Sequence, residues 1–224
     1  MDYTIGLIDE EDSHLGNIRR ILLLNLPAGN TIDFKVYPLE GQSDILPKRV
    51  TDEVLYDIVQ GNICSLIIDY KIMIHSALVE GTDIYKAIID VVPKFPVVIL
   101  TDVPSNCYEK SFVDADKVYW KKEFFKIEEG YSKEKAENIF RNMEHYVKQR
   151  AELLAKLEDH QERMTTEGFS LELYKEILNT EKSLDEFSPQ GQTQIDKAIS
   201  IDDFKEIVEL LEKADDLLGD KHEK

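Results

Sequence analysis

Four short apolar runs, far apart in the chain, each stop at a residue able to do chemistry. Ile5-Gly6-Leu7-Ile8 stops at Asp9-Glu10-Glu11, Leu66-Ile67-Ile68 at Asp69, Val97-Val98-Ile99-Leu100 at Thr101, and Val118-Tyr119-Trp120 at Lys121-Lys122. Each run has the length of a strand. In an open parallel sheet the carboxyl ends of the strands share one edge, where ligands bind. An acidic pair, a third acid, a hydroxyl and a lysine would therefore meet in one place. Such a set suits phosphoryl transfer to a carboxylate, which needs a nucleophile, a divalent cation and groups that steady the equatorial oxygens. Any one segment alone is an ordinary strand-end cap. The weight lies in the order: the acidic pair comes first, then Asp69, then a threonine 32 residues on and Lys122 a further 21 on.

The elements that must position these residues follow from periodicity. A strand near residues 3–9 leads into a helix through Ile18, Ile21, Leu22 and Leu26, which recur at helical spacing. Pro27-Ala28-Gly29-Asn30 breaks it, and Ile32 to Leu39 reads as a second strand. Thr51-Asp52-Glu53 opens a second helix that ends at Gly61-Asn62. The run through Ile63, Cys64, Leu66, Ile67 and Ile68 is nearly unbroken, as in a strand covered on both faces. A helix over Thr82 to Val92, a strand over 96–101, a short helix around Ser105–Val113 and a strand near Lys117–Trp120 complete the alternation. Strands alternating with helices predict βαβ units, and right-handed crossovers make them a five-stranded doubly wound parallel sheet of flavodoxin type.

Beyond Gly130 the pattern turns wholly helical. Ser132 caps a helix running to about Thr166, with a heptad-like stripe of Ile139, Met143, Tyr146, Arg150, Leu153, Leu157, His160 and Met164. Gly168 ends it, and a second helix runs through Leu171, Tyr174, Ile177, Leu178 and Leu184. Ser200 with Asp203 forms a capping box for a last helix through Phe204, Ile207, Leu211 and Leu218. The expected division is an α/β domain over 1–128 and an all-α helical region over 131–224.

Composition excludes several classes. The chain is 42% hydrophobic and 32% charged, enough to bury a core. Residues 1–130 carry 13 basic and 22 acidic groups, and residues 131–224 carry 14 and 23. With net charge −18 and no basic block in the tail, DNA binding is not expected. No apolar stretch reaches the roughly 18–20 residues of a membrane span. Met1-Asp2-Tyr3-Thr4 has no basic leader, and two cysteines, Cys64 and Cys107, make no disulfide framework, so the chain reads as cytoplasmic. Five scattered histidines lack zinc spacing, and His145 and His160 read as exposed helical residues.

The ordered set of acids, hydroxyl and lysine resembles the receiver domain of bacterial two-component response regulators, over roughly residues 1 to 128. The resemblance implies Asp69 as phosphoacceptor and Mg²⁺ held by Asp9, Glu10, Asp69 and the backbone carbonyl of Lys71. It implies Thr101 and Lys122 as the groups that hold the phosphoryl oxygens, with Thr101 and Tyr119 forming the switch. Between the two adjacent lysines, Lys122 followed by Glu123-Phe124 best matches the family's Lys-Pro-Phe. Implied partners are a histidine kinase or phosphotransfer protein, with output through the helical tail, whose coiled-coil stripe near 132–166 offers a homodimer seam. Beyond self-phosphorylation and autodephosphorylation with Mg²⁺, no enzyme activity is implied.

This chain departs from the family pattern in four places. Glu123 stands where proline is usual, Asp102 where a small residue follows the hydroxyl, and Ile72-Met73 where Met-Pro is usual. About four extra residues separate Asp69 from Gly81. These departures leave two alternatives open, a pseudo-receiver scaffold that is never phosphorylated and a phosphate sink without output.

Overall fold

The computed structural model describes residues 2–39, 46–74, 77–127, 130–168 and 170–187. The last expected helix, with its capping box at Ser200 and Asp203, lies outside the described residues. Five strands form one all-parallel sheet: β1 (Asp2–Ile8), β2 (Thr31–Val36), β3 (Ser65–Asp69), β6 (Val97–Thr101) and β7 (Val118–Trp120). Their order is β2-β1-β3-β6-β7, the doubly wound arrangement that the alternating pattern predicts. Strands β3 and β6 are buried along their whole length, whereas β2 alternates exposed and half-buried as an edge strand does. Helices α1 (Asp12–Leu24), α2 (Leu46–Gln60), α3 (Gly81–Ile89) and α4 (Pro104–Tyr108) are the crossovers.

Strand order reverses between β1 and β3, so the crevice at their carboxyl ends is the topological switch point. Register puts the ends level. Ile8 pairs with Ile68, Asp69 with Leu100 and Thr101 with Trp120.

The extra residues after Asp69 fold into an antiparallel hairpin, β4 (Lys71–Ile74) with β5 (Ala77–Glu80). Its residues alternate, with Ile72 and Val79 buried and Met73 and Leu78 half exposed. Sequence reading gave this segment no structure because each strand is only four residues long.

The last strand feeds a short helix, α5 (Lys121–Phe124), and then α6 (Gly130–Thr166). Ala136, Ile139, Phe140 and Met143 of α6 join the same core as Tyr3, Ile5, Leu15 and Ile18. The chain divides into two compact units, and the first is Met1–Ala151 together with Glu186–Ser188. The division thus falls well beyond residue 128, because the opening turns of α6 cover a sheet face that would otherwise meet water. Ile139, Met143 and Tyr146, expected to contribute to a dimer seam, are buried within the chain itself. In the second unit, Gly168 follows α6 with φ +88°, a left-handed turn that suits glycine. Helix α7 (Leu171–Asp185) buries Leu173, Ile177, Thr180 and Leu184, and His160 is not exposed but half-buried, 3.7 Å from Glu176. Among the described residues no helix is long and apolar enough to cross a membrane.

Candidate functional site

Asp9 leaves the end of β1 and is buried, held by the Glu11 backbone N–H, which donates to its Oδ1 at 2.9 Å. Asp69 ends β3, buried beside it. Behind Asp69 the chain must pass close. A Cβ on Gly81 would lie 2.1 Å from the Asp69 carbonyl oxygen, and the Gly81 N–H donates to the Tyr70 carbonyl at 2.7 Å. Only glycine lets α3 begin there, so Gly81 fixes the backbone of the acceptor segment.

The lysine at the site is Lys121 and not Lys122. Lys121 Nζ lies 2.7 Å from Asp69 Oδ1 and 3.1 Å from Asp9 Oδ2, with its side chain 6% exposed. Lys122 points to solvent. The physical reason is where the last strand ends. β7 stops at exposed Trp120, and the short helix that starts at Lys121 buries Lys121 and Phe124 and leaves Lys122 exposed. Matching Lys-Glu-Phe to a family pattern favoured the wrong member of the pair. The peptide bonds of the described residues are all trans, including those on either side of Lys122.

Thr101 ends β6 buried, and its Oγ1 accepts the Val103 N–H at 3.1 Å. Tyr119 is buried on β7, paired in register with Leu100, the residue before Thr101. Its ring lies 6.2 Å from that of Phe124, with Lys135 Nζ 5.3 Å from its centroid. Burial holds the Tyr119 phenol above its ordinary pKa. Glu10 is exposed at the rim, where its Oε1 accepts the Met73 N–H of the hairpin at 3.3 Å. Lys71 and Asp102, both exposed, also line the cavity above Asp69, whose volume is about 270 Å³.

One residue at the site went unnoticed in the sequence. His14, on the first turns of α1, has Nδ1 3.2 Å from both Asp9 Oδ1 and Lys121 Nζ. It lies five residues past Asp9, a spacing with meaning only once α1 is known to start at Asp12. Cys64, by contrast, is the core residue its sequence position suggests, buried with Sγ 3.7 Å from Met143 Sδ and its thiol pushed up to about 11 by burial.

The electrostatics favour a bound cation. Burial pushes the Asp69 carboxyl up to about 6, and Asp9 and Glu10 add to this while Lys121 pulls against it. Burial works against the Lys121 ammonium, but Asp69 and Asp9 outweigh it and hold its pKa above the ordinary value. One ammonium thus faces three acids. Carboxylate oxygens of Asp9, Glu10 and Asp69 all lie within 4.8 Å of one another, an all-oxygen donor set of the kind Mg²⁺ takes. The residues therefore fit a hard divalent ion. No protein-family model matches this chain, and no curated protein matches it in sequence.

Proposed function

We propose that this chain is a response-regulator-like signalling protein whose Asp69 accepts a phosphoryl group from the phosphohistidine of a partner kinase or phosphotransfer protein. The observation that carries the reading is Lys121 seated between Asp69 and Asp9 at the carboxyl edge of the sheet. A carboxylate oxygen of Asp69 attacks phosphorus, the bond from phosphorus to the donor imidazole breaks, and that nitrogen regains a proton. Asp9, Glu10, Asp69 and the Lys71 carbonyl would hold Mg²⁺, which when bound offsets repulsion between the carboxylates and the incoming phosphoryl group. Lys121, as a compact point charge, takes a phosphoryl oxygen in place of the acceptor carboxylate. Thr101 gives up its bond from Val103 to donate to another oxygen, and Tyr119 follows as the switch aromatic.

Output then runs through the helical part by contact with a protein partner, in the cytoplasm and without DNA. The link is α6, whose first turns are part of the same core as β1 and α1. Its test uses the full chain, because truncation at residue 131 removes core residues. Hydrogen exchange over 130–187 is compared with and without acetyl phosphate and Mg²⁺. A change confined to wild type, absent from Asp69→Asn, supports output through the helices. An unchanged pattern favours a phosphate sink.

The pseudo-receiver reading draws on Glu10, whose carboxylate already accepts a hairpin N–H, and on Asp102, an added acid beside Thr101. A chain that binds no Mg²⁺ would be that scaffold.

A further inference from the structure

Lys121 offers three N–H donors and no acceptor. Asp69 Oδ1 at 2.7 Å and Asp9 Oδ2 at 3.1 Å take two of them. A third atom stands within reach, His14 Nδ1 at 3.2 Å. On the far side of the ring, His14 Nε2 is 3.3 Å from Glu11 Oε2. We propose that His14 is a positioning residue for Lys121: Glu11 accepts the Nε2–H, which leaves the Nδ1 lone pair to accept the third ammonium proton.

The partner of one ring nitrogen sets what the other can do. A carboxylate can only accept, so Glu11, 3.3 Å from Nε2, favours a proton there. The opposite tautomer would send an Nδ1–H to Asp9 Oδ1, also 3.2 Å away, but would set that hydrogen against the Lys121 ammonium and turn a bare Nε2 toward the Glu11 carboxylate. It would also take from Lys121 the acceptor that stands 3.2 Å away. Phe125, whose ring centroid is 5.4 Å from that of His14, braces the ring from the segment that carries Lys121. Glu11, His14 and Lys121 thus form a carboxylate–imidazole–ammonium relay that aims Lys121 at Asp69.

The geometry stands without phosphorylation, while its consequence rests on the proposed function. When phosphate and cation engage Asp69 and Asp9, His14 remains as the acceptor that keeps Lys121 on the edge.

Two measurements decide it. The first is the nitrogen chemical shifts of the His14 ring in the full-length protein, at mildly alkaline pH and without metal. A protonated Nε2 and bare Nδ1 are expected, and a proton on Nδ1 overturns the assignment. The second compares His14→Leu with His14→Gln, whose amide can accept from Lys121 and donate to Glu11. With acetyl phosphate, the leucine variant is expected to phosphorylate about tenfold more slowly at saturating Mg²⁺. The glutamine variant recovers most of the loss. A leucine variant as fast as wild type overturns the role. Should wild type itself take no phosphate, the proposed function fails, and the nitrogen shifts alone judge His14.

Discussion

Lys121 Nζ and Asp69 Oδ1 meet at 2.7 Å although their strands are not neighbours: β6 lies between β3 and β7. Lys121 lines the same cavity as Thr101, at the end of that middle strand, and its Nζ also meets Asp9, just past the end of β1. A single cation therefore ties three strand ends together.

Removing that cation should separate the two neighbouring lysines. Lys121→Met is expected to slow acyl-phosphate formation at Asp69 by about a hundredfold, as loss of a charge that stabilises a developing anion does. Lys122→Met, on the exposed side, should change it less than about twofold. Time courses of phosphate incorporation by intact mass give both rates. Equal losses would return the role to Lys122.

The carboxyl end of each strand was legible from the sequence because an apolar run that halts at a polar residue marks the edge of a parallel sheet. Asp9, Asp69 and Thr101 were read that way and lie where the pattern puts them. Lys121 against Lys122 turned on where β7 ends and α5 begins, a matter of one residue that an apolar run of three does not fix. The hairpin after Asp69 escaped because each of its strands is four residues, too short for alternation to stand out. The covering role of α6 was hidden differently. Ile139, Met143 and Tyr146 make the same stripe whether the helix faces a partner or its own sheet.

Asp69→Asn should stabilise the metal-free protein at neutral pH. The Asp69 carboxyl has its pKa raised to about 6 by burial, so its ionised form opposes folding above that pH. For such a group stability is fully present below the unfolded value of 3.8 and is lost as pH rises through about 6. The gain in the variant is expected to be on the order of 1–3 kcal/mol near pH 7 and to shrink as pH falls toward 4. Urea unfolding across that range gives the difference at each pH.

Mg²⁺ should raise the unfolding midpoint through the same acids. At about ten times its dissociation constant the ion adds roughly 1.4 kcal/mol. Glu10→Gln, which removes one exposed ligand without touching the core, should need markedly more Mg²⁺ for the same gain. Thermal unfolding against Mg²⁺ concentration reads the shift, with Ca²⁺ and Na⁺ as controls.

Gly81→Ala should disturb the acceptor from behind. Its Cβ would fall 2.1 Å from the Asp69 carbonyl, a backbone atom with nowhere to move, so a cost of about 1–3 kcal/mol is expected. Denaturant unfolding measures it, and a neutral substitution would mean that the start of α3 can shift freely.

Phe187 closes the first unit at the opposite end of the strands. It is buried, its ring stacks 5.8 Å from that of Tyr146, its carbonyl accepts the Tyr146 hydroxyl, and the Lys94 N–H donates to the Glu186 carbonyl at 2.9 Å. Phe187→Ala should cost up to about 3 kcal/mol of this docking and expose the segment after α7 to protease. Limited proteolysis mapped by mass spectrometry would show new cuts near residue 187, and wild-type resistance would mean the clasp is not what holds it.

The most direct test of the central claim is to locate the phosphate. The full-length protein is incubated with Mg²⁺ and acetyl phosphate, reduced with borohydride, which converts an aspartyl phosphate to homoserine, and mapped by peptide mass spectrometry. The account predicts homoserine at position 69 in wild type, none in Asp69→Asn and very little in Lys121→Met. Homoserine at another aspartate, or the same yield from the Asp69→Asn protein, would contradict it.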